Sequence, residues 1–228
     1  MITHHPSQDL CLAFVQGELP ASLSIAMAMH AELCPQCQQQ LVELTEQVGE
    51  QALVVESTVG HAVALKNTFN DEQLFAAMIN DITVSDKIPQ QATIVESPLV
   101  IEVKGNSYQL PRALQSVAMS GWLNLGKLSR ARLNLNEGHW HSSLLHIDKN
   151  GKVPEHTHGG FELTLLLTGQ FKDELGSYEA GDFIYLSQQH SHTPYTENGC
   201  LCYTVVDAAL HFKQGMSKWL NPIGKLIY

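Results

Sequence analysis

The apolar positions of the first 85 residues recur at helical spacing. "SQDLCLAFVQGELP" puts Leu10, Phe14 and Val15 on one face, opens at Ser7 and stops at Gly17, which predicts a capped helix. "ASLSIAMAMHAELC", rich in Ala, Met and Leu, predicts a second helix that runs into Pro35. Proline suits the first turn of a helix, so "PQCQQQLVELTEQVGEQAL" predicts a third. "NDEQLFAAMINDI", with Asn70 as cap and Leu74, Phe75, Met78 and Ile79 on one side, predicts a fourth over 70–82. Between the last two, "VVESTVGHAVALKNT" has no clear period.

The texture changes after "SDKIPQQATIVESP". From residue 99 the chain reads as short alternating or apolar runs cut by glycine and turn residues: "LVIEVKG", "SRARLNLNEG", "SSLLHIDKNG", "LTLLLTG", "FKDELG", "GDFIYLS" and "CLCYTVVDA". Many short strands at this spacing predict an all-β sandwich or barrel. The expected class is α+β in two domains: a helical domain over 1–85, a linker over 86–98, a β domain over 99–215 and a tail over 216–228.

Charge sharpens this division. The whole chain carries a formal −10; residues 1–85 hold −9 of it, with Lys66 their single basic residue, and residues 86–228 hold −1. An acidic front end argues against nucleic acid as a direct partner, since phosphate is repelled. It suits encounter with a basic protein surface; the plain alternative is a solvated acidic helical face. No apolar run approaches the roughly 18 residues of a membrane span. The start, "MITHHPSQDL", has no basic region followed by an apolar one. The expectation is a cytoplasmic chain with no membrane partner. There Cys11, Cys34, Cys37, Cys200 and Cys202 would be thiols or metal ligands.

"MHAELCPQCQQQL" carries His30, Cys34 and Cys37 as H-x-x-x-C-x-x-C. His30 and Cys34 are one helical turn apart. Cys34 closes its helix and Cys37 lies in the first turn of the next, so three ligands can meet at a helix corner. A tetrahedral zinc site needs a fourth. His4, His5 and Cys11 are the nearby sources, with Cys11 better placed as a core residue of the first helix. A C-P-x-C redox dithiol is the alternative, but it belongs after a strand in a βαβ unit and nothing here reads that way.

"PEHTHGGFELTLLLTGQF" carries His156, His158, Glu162 and Gly169. The two histidines share a strand face, and Glu162 can return to the same point past a turn. The pattern H-x-H-x₃-E-x₆-G resembles the first cupin motif, and "GDFIYLSQQHSHTP" resembles the second, with His192 as its histidine and His190 a competitor two residues before. Three imidazoles and a carboxylate inside a small barrel suit Zn, Fe, Mn, Ni or Cu. The second motif departs from its usual form, with Ser187, Gln189 and Thr196 where Pro, Gly and Asn are usual. The "HWH" of 139–141 lacks a matching glutamate and reads as an ordinary strand.

Taken together, the amino-terminal motif and the order "VPEHTHGGFELTLLLTGQF", "GDF", "HTP", "GCLCYTVVDAALHF" resemble the ChrR family of anti-sigma factors. The resemblance implies His5 as the fourth ligand of an amino-terminal zinc beside His30, Cys34 and Cys37. It implies a second divalent metal, zinc first, on His156, His158, Glu162 and His192 of a jelly-roll cupin barrel. It implies a zinc-dependent anti-sigma factor that holds an extracytoplasmic-function sigma factor and releases it under singlet oxygen or organic peroxide, without being an enzyme. Cys200 and Cys202 match a C-x-C of the family and are either core residues or oxidant-sensitive thiols. The rival readings are a metal-dependent cupin enzyme, a dioxygenase or isomerase, with a helical zinc-binding appendage, and a small-molecule-binding regulator whose cupin metal is structural.

Overall fold

The structure is a computed structural model that describes residues 1–58, 71–84, 99–158, 160–186, 191–208 and 210–212, with side chains described except at 54–58, 71–74, 158 and 210–212. The predicted linker (86–98) and tail (216–228) lie outside these residues, as does His190.

The four predicted helices form: α1 Gln8–Val15, α2 Ala21–Leu33, α3 Pro35–Thr58 and α4 Asp71–Val84. Ser7 caps α1, its Oγ accepting from the Leu10 amide at 3.3 Å. α2 ends where Cys34 turns extended, at φ −120° and ψ 99°, because the following Pro35 disfavours a helical residue before it. α3 runs five residues past its predicted end at Leu53, through "VVEST", a stretch with no proline or glycine to stop it.

Among the described residues fourteen strands follow, all paired antiparallel. β1 Val100–Val103 and β2 Asn106–Gln109 make a hairpin that precedes a 3₁₀ turn, Arg112–Leu114. β3 Leu123–Leu125, β4 Leu128–Leu133, β5 His141–Ile147, β6 Gly151–Lys152, β7 His156–His158 and β8 Glu162–Lys172 lead to β9 Ser177–Glu179, β10 Phe183–Leu186, β11 Ser191–His192, β12 Tyr195–Thr196, β13 Cys200–Val206 and β14 Leu210–Phe212. The main sheet has the order β3-β4-β5-β13-β8-β12-β6, with β9 and β10 also on β8, and β7 sits between β11 and β14 in a smaller sheet. In chain order, a helical amino-terminal region is followed by a curled antiparallel cupin-like fold.

The residues fall into two compact units, Met1–Val48 with Pro98–Tyr228, and Gly49–Ser97. In the first, β13 explains the packing. It reads "CLCYTVV" without alternation because both of its faces are covered. Leu201, Tyr203 and Val205 pack with Leu144, Leu163 and Leu165 and with Leu23, Met27 and Met29 of α2. The Tyr203 hydroxyl donates to the Ser22 carbonyl at 2.9 Å across this interface. Cys200 and Cys202 face the other way, among Ile147, Leu166, Phe171 and Ile184. Gly169, the glycine of the motif at 156–169, has φ +80°, and a Cβ there would meet the Cys200 Cα at 2.9 Å as well as the Gly199 carbonyl. It lies beside the bulge where the β8–β13 register shifts, a place that only glycine fits.

The amino terminus is also part of this unit. The Thr3 and His4 amides donate to Asp182 Oδ1 at 2.7 and 2.9 Å. The Phe183 amide donates back to the His4 carbonyl at 3.0 Å.

Candidate metal centres

Two groups of ligand-type side chains converge among the described residues. The first is His5, His30, Cys34 and Cys37, whose ligand atoms all lie within 4.8 Å of one another. α2 supplies His30 and ends at Cys34, α3 supplies Cys37 from its first turn, and the strap on Asp182 delivers His5. His5 Nδ1 sits 3.6 Å from Cys34 Sγ and 3.3 Å from Cys37 Sγ.

The deciding detail is His30. Its Nδ1 meets the Gly181 carbonyl at 2.9 Å, so Nδ1 carries the proton and donates. Its Nε2 is buried without a hydrogen-bond partner. Burial holds its pKa below the usual imidazole value, against the Gly181 bond. A neutral imidazole oriented through one nitrogen, with the other lone pair facing two thiols, is a ligand arrangement. Burial and the neighbouring Cys34 push the Cys37 thiol up to about 12; a bound cation reverses such a shift. Two sulfurs and two imidazole nitrogens fit a tetrahedral metal ion.

The second group is His156, Glu162 and His192. β7 and β11 pair with His156 opposite His192, and β8 opens at Glu162. His156 Nδ1 donates to the Pro154 carbonyl at 2.8 Å and His192 Nδ1 donates to Asp173 Oδ2 at 3.0 Å. Both rings thereby present Nε2, and these two nitrogens stand 3.0 Å apart. Glu162 Oε2 lies 3.4 Å from His192 Nε2. Burial opposes charge on His192, but Asp173 and Glu162 outweigh it and raise its pKa to about 9. Two facing nitrogens beside a carboxylate need a positive charge between them, a proton or a metal ion. The side chain of His158 lies outside the described residues; its backbone is in β7.

The remaining candidates fall elsewhere. His4 turns to Asp182 Oδ2, 3.6 Å away, and to the Tyr178 ring. Cys11 is fully buried in the core of the helices. Cys200 and Cys202 are 1% and 2% exposed. The Cys200 contact and complete burial push the Cys202 thiol well up, so it is held as a thiol, the unreactive form. His141 opens β5 and belongs to neither group.

Sequence reasoning missed Asp173 and Asp182. Asp173 lies in a turn, accepts the Leu175 and Gly176 amides at 2.8 and 3.1 Å, and orients His192. Asp182 is the aspartate of "GDF". Burial opposes its charge, but the Glu179, His4 and Thr3 amides outweigh it and keep its pKa below the usual range. The Gly-Asp pair was the available signal, and nothing in it pointed to the amino terminus.

With this geometry in view, the comparisons with known proteins are specific. A family model described as "ChrR Cupin-like domain" matches residues 112–209. Over those residues the chain is similar to the ChrR cupin-like domain. The likeness to ChrR extends to the helices. The anti-sigma-E factor ChrR of Cereibacter sphaeroides is 29% identical over 228 residues, 99% of each chain. A chain from the crystal structure of Rhodobacter sphaeroides SigE in complex with the anti-sigma ChrR matches with a TM-score of 0.62 at 28% identity, over 91% of this chain and 100% of that one.

If both groups hold metal, the purified full chain carries two metal ions. Cys37→Ser leaves one, and so does Glu162→Ala, each expected to weaken its own site by about tenfold or more. Metal analysis of the three proteins after gel filtration checks this. Unchanged metal content in Cys37→Ser contradicts the first assignment.

Proposed function

We propose that the chain is an anti-sigma factor whose helical region, residues 1–85, binds an extracytoplasmic-function sigma factor and keeps it from RNA polymerase. The observation that carries this reading is likeness to ChrR along the whole chain, helices and β domain together. Two features support it. The region carries −9 of the net charge, which favours fast encounter with a basic partner surface. α4 also presents Phe75, Met78, Ile79 and Ile82, all more than half exposed, at spacings of three and four. An apolar stripe of this kind on an acidic helical region suits docking onto a protein.

In this reading the metal at His5, His30, Cys34 and Cys37 is zinc, and it fixes the corner between α2 and α3. Structural zinc contributes its binding free energy to folding. The cupin triad with His158 holds a second divalent metal and serves as the sensor for singlet oxygen or organic peroxide. The role is regulatory and cytoplasmic, without turnover of a substrate; among the described residues no helix is long and apolar enough to cross a membrane. Cys200 and Cys202, both buried, enter the signal only after the barrel loosens.

The rival cupin enzyme has one observation in its favour, a mostly apolar cavity lined in part by the triad itself. Metal-dependent turnover of a small oxidisable substrate by the purified chain is the measurement that would favour it.

Two outcomes are expected. Phe75→Glu with Ile79→Glu should weaken sigma-factor binding by about tenfold or more while leaving metal content unchanged; equal affinity removes α4 from the interface. Glu162→Ala should still inhibit sigma-dependent transcription in cells but no longer release it under singlet oxygen or an organic peroxide. Equal induction in wild type and variant takes the cupin metal out of the signal.

A further inference from the structure

The sheet face that carries Glu162 lines a cleft of about 310 Å³, at the lower end of the roughly 300–1,000 Å³ of small-ligand sites, and His156, Glu162 and His192 border the same space. Its walls are apolar, with Leu123, Leu125, Leu145, Ile147 and Val153 among them. Arg130 of β4 lines the same space.

This arginine is poorly compensated. Its Nε donates to Ser143 Oγ at 2.8 Å. Among the described residues no carboxylate pairs with it. Burial, with the like charge of Arg132 added, pushes its pKa down to about 10. Arg130 is half-buried; a partly desolvated guanidinium without a counter-ion is poorly compensated, and its planar donors match a carboxylate in bidentate fashion. The other cations at the cavity are committed or exposed. Lys127 Nζ donates to the Lys149 and Asn150 carbonyls at 3.0 and 2.9 Å, and Lys152 is exposed.

We propose that this cavity binds a small amphipathic carboxylate, its head on Arg130 and its hydrocarbon tail along Leu123, Leu125, Leu145 and Ile147. One unpaired guanidinium in an apolar wall selects a monoanion with an apolar body over a polyanion such as a phosphate ester. The anchor is separate from the metal group. β4 and β8 are separated by β5 and β13, about 14 Å at the usual strand spacing. Ser143, Thr204 and Thr164 lie in register across that interval, a polar row between Arg130 and Glu162.

The inference does not depend on the sigma-factor reading, because binding is measured on the chain alone. Full-length, metal-loaded protein is titrated by calorimetry with octanoate, and with octan-1-ol as the uncharged match. Octanoate should bind once per chain, at least about tenfold tighter than octanol. Arg130→Met keeps the aliphatic stem and removes the charge. It should lower octanoate affinity at least about tenfold and leave octanol unchanged. The ligand-free variant should melt at or above wild type, since an unpaired, half-buried charge is gone. The proposal is overturned by no octanoate binding to wild type, or by octanol matching octanoate. Equal octanoate binding to the variant would place the carboxylate on the metal group instead. A variant that melts well below wild type would make Arg130 a structural group of the sheet.

Discussion

Asp182, 1% exposed, ties the amino terminus to the sheet, and the first metal group depends on it. One oxygen takes the Thr3 and His4 amides, and the other takes the Glu179 amide at 2.8 Å. A carboxylate that accepts this many backbone donors stays ionised despite burial. Residues this close to a terminus ordinarily fray. Here they are fixed, and His5, one residue past the last of these amides, reaches Cys34 and Cys37. From the other side, Gly181 gives its carbonyl to His30 Nδ1. Adjacent residues of one turn thus place two of the four ligands, one by its side chain and one by its backbone.

The same turn leads to the second group. β10 follows directly, pairing with β8 so that Phe183 faces Leu165 and Leu186 faces Glu162. The Leu166 amide donates to the Asp182 carbonyl at 3.1 Å, and the Gly181 amide donates to the Leu166 carbonyl at 2.7 Å. Both metal groups therefore border one hairpin, joined by backbone bonds rather than by flexible side chains. A contiguous path of this kind is one physical means of coupling two sites, and it offers the sensing role proposed for the cupin group a route to the corner between α2 and α3.

Much of this was legible in the sequence, in places where a local rule governs. His30, Cys34 and Cys37 follow from helical phase and from Pro35, and the four helices from capping and periodicity. The "CLCYTVV" and "LTLLLTG" runs betray strands covered on both faces. What was not legible depends on distant pairing. β6, β11 and β12 are two residues long, too short for any alternation. The fourth ligand was open between His4, His5 and Cys11 on local grounds, because a bond to Asp182, 178 residues from His4, sets which imidazole turns inward. Asp173 reads as a turn residue until β11 brings His192 beside it. Arg130 reads as the polar member of an alternating strand, and only the cavity it lines shows what that side of the strand faces.

Hydrogen exchange on the full chain tests the shared hairpin most directly. Cys37→Ser, which disrupts the amino-terminal group alone, is compared with wild type. Exchange should quicken at residues 1–6 and also at the Glu179 and Phe183 amides, which bond to Asp182 and to the His4 carbonyl. Exchange that quickens only in the helices, with 179–183 as protected as in wild type, would contradict the claim that the two groups share one structural element.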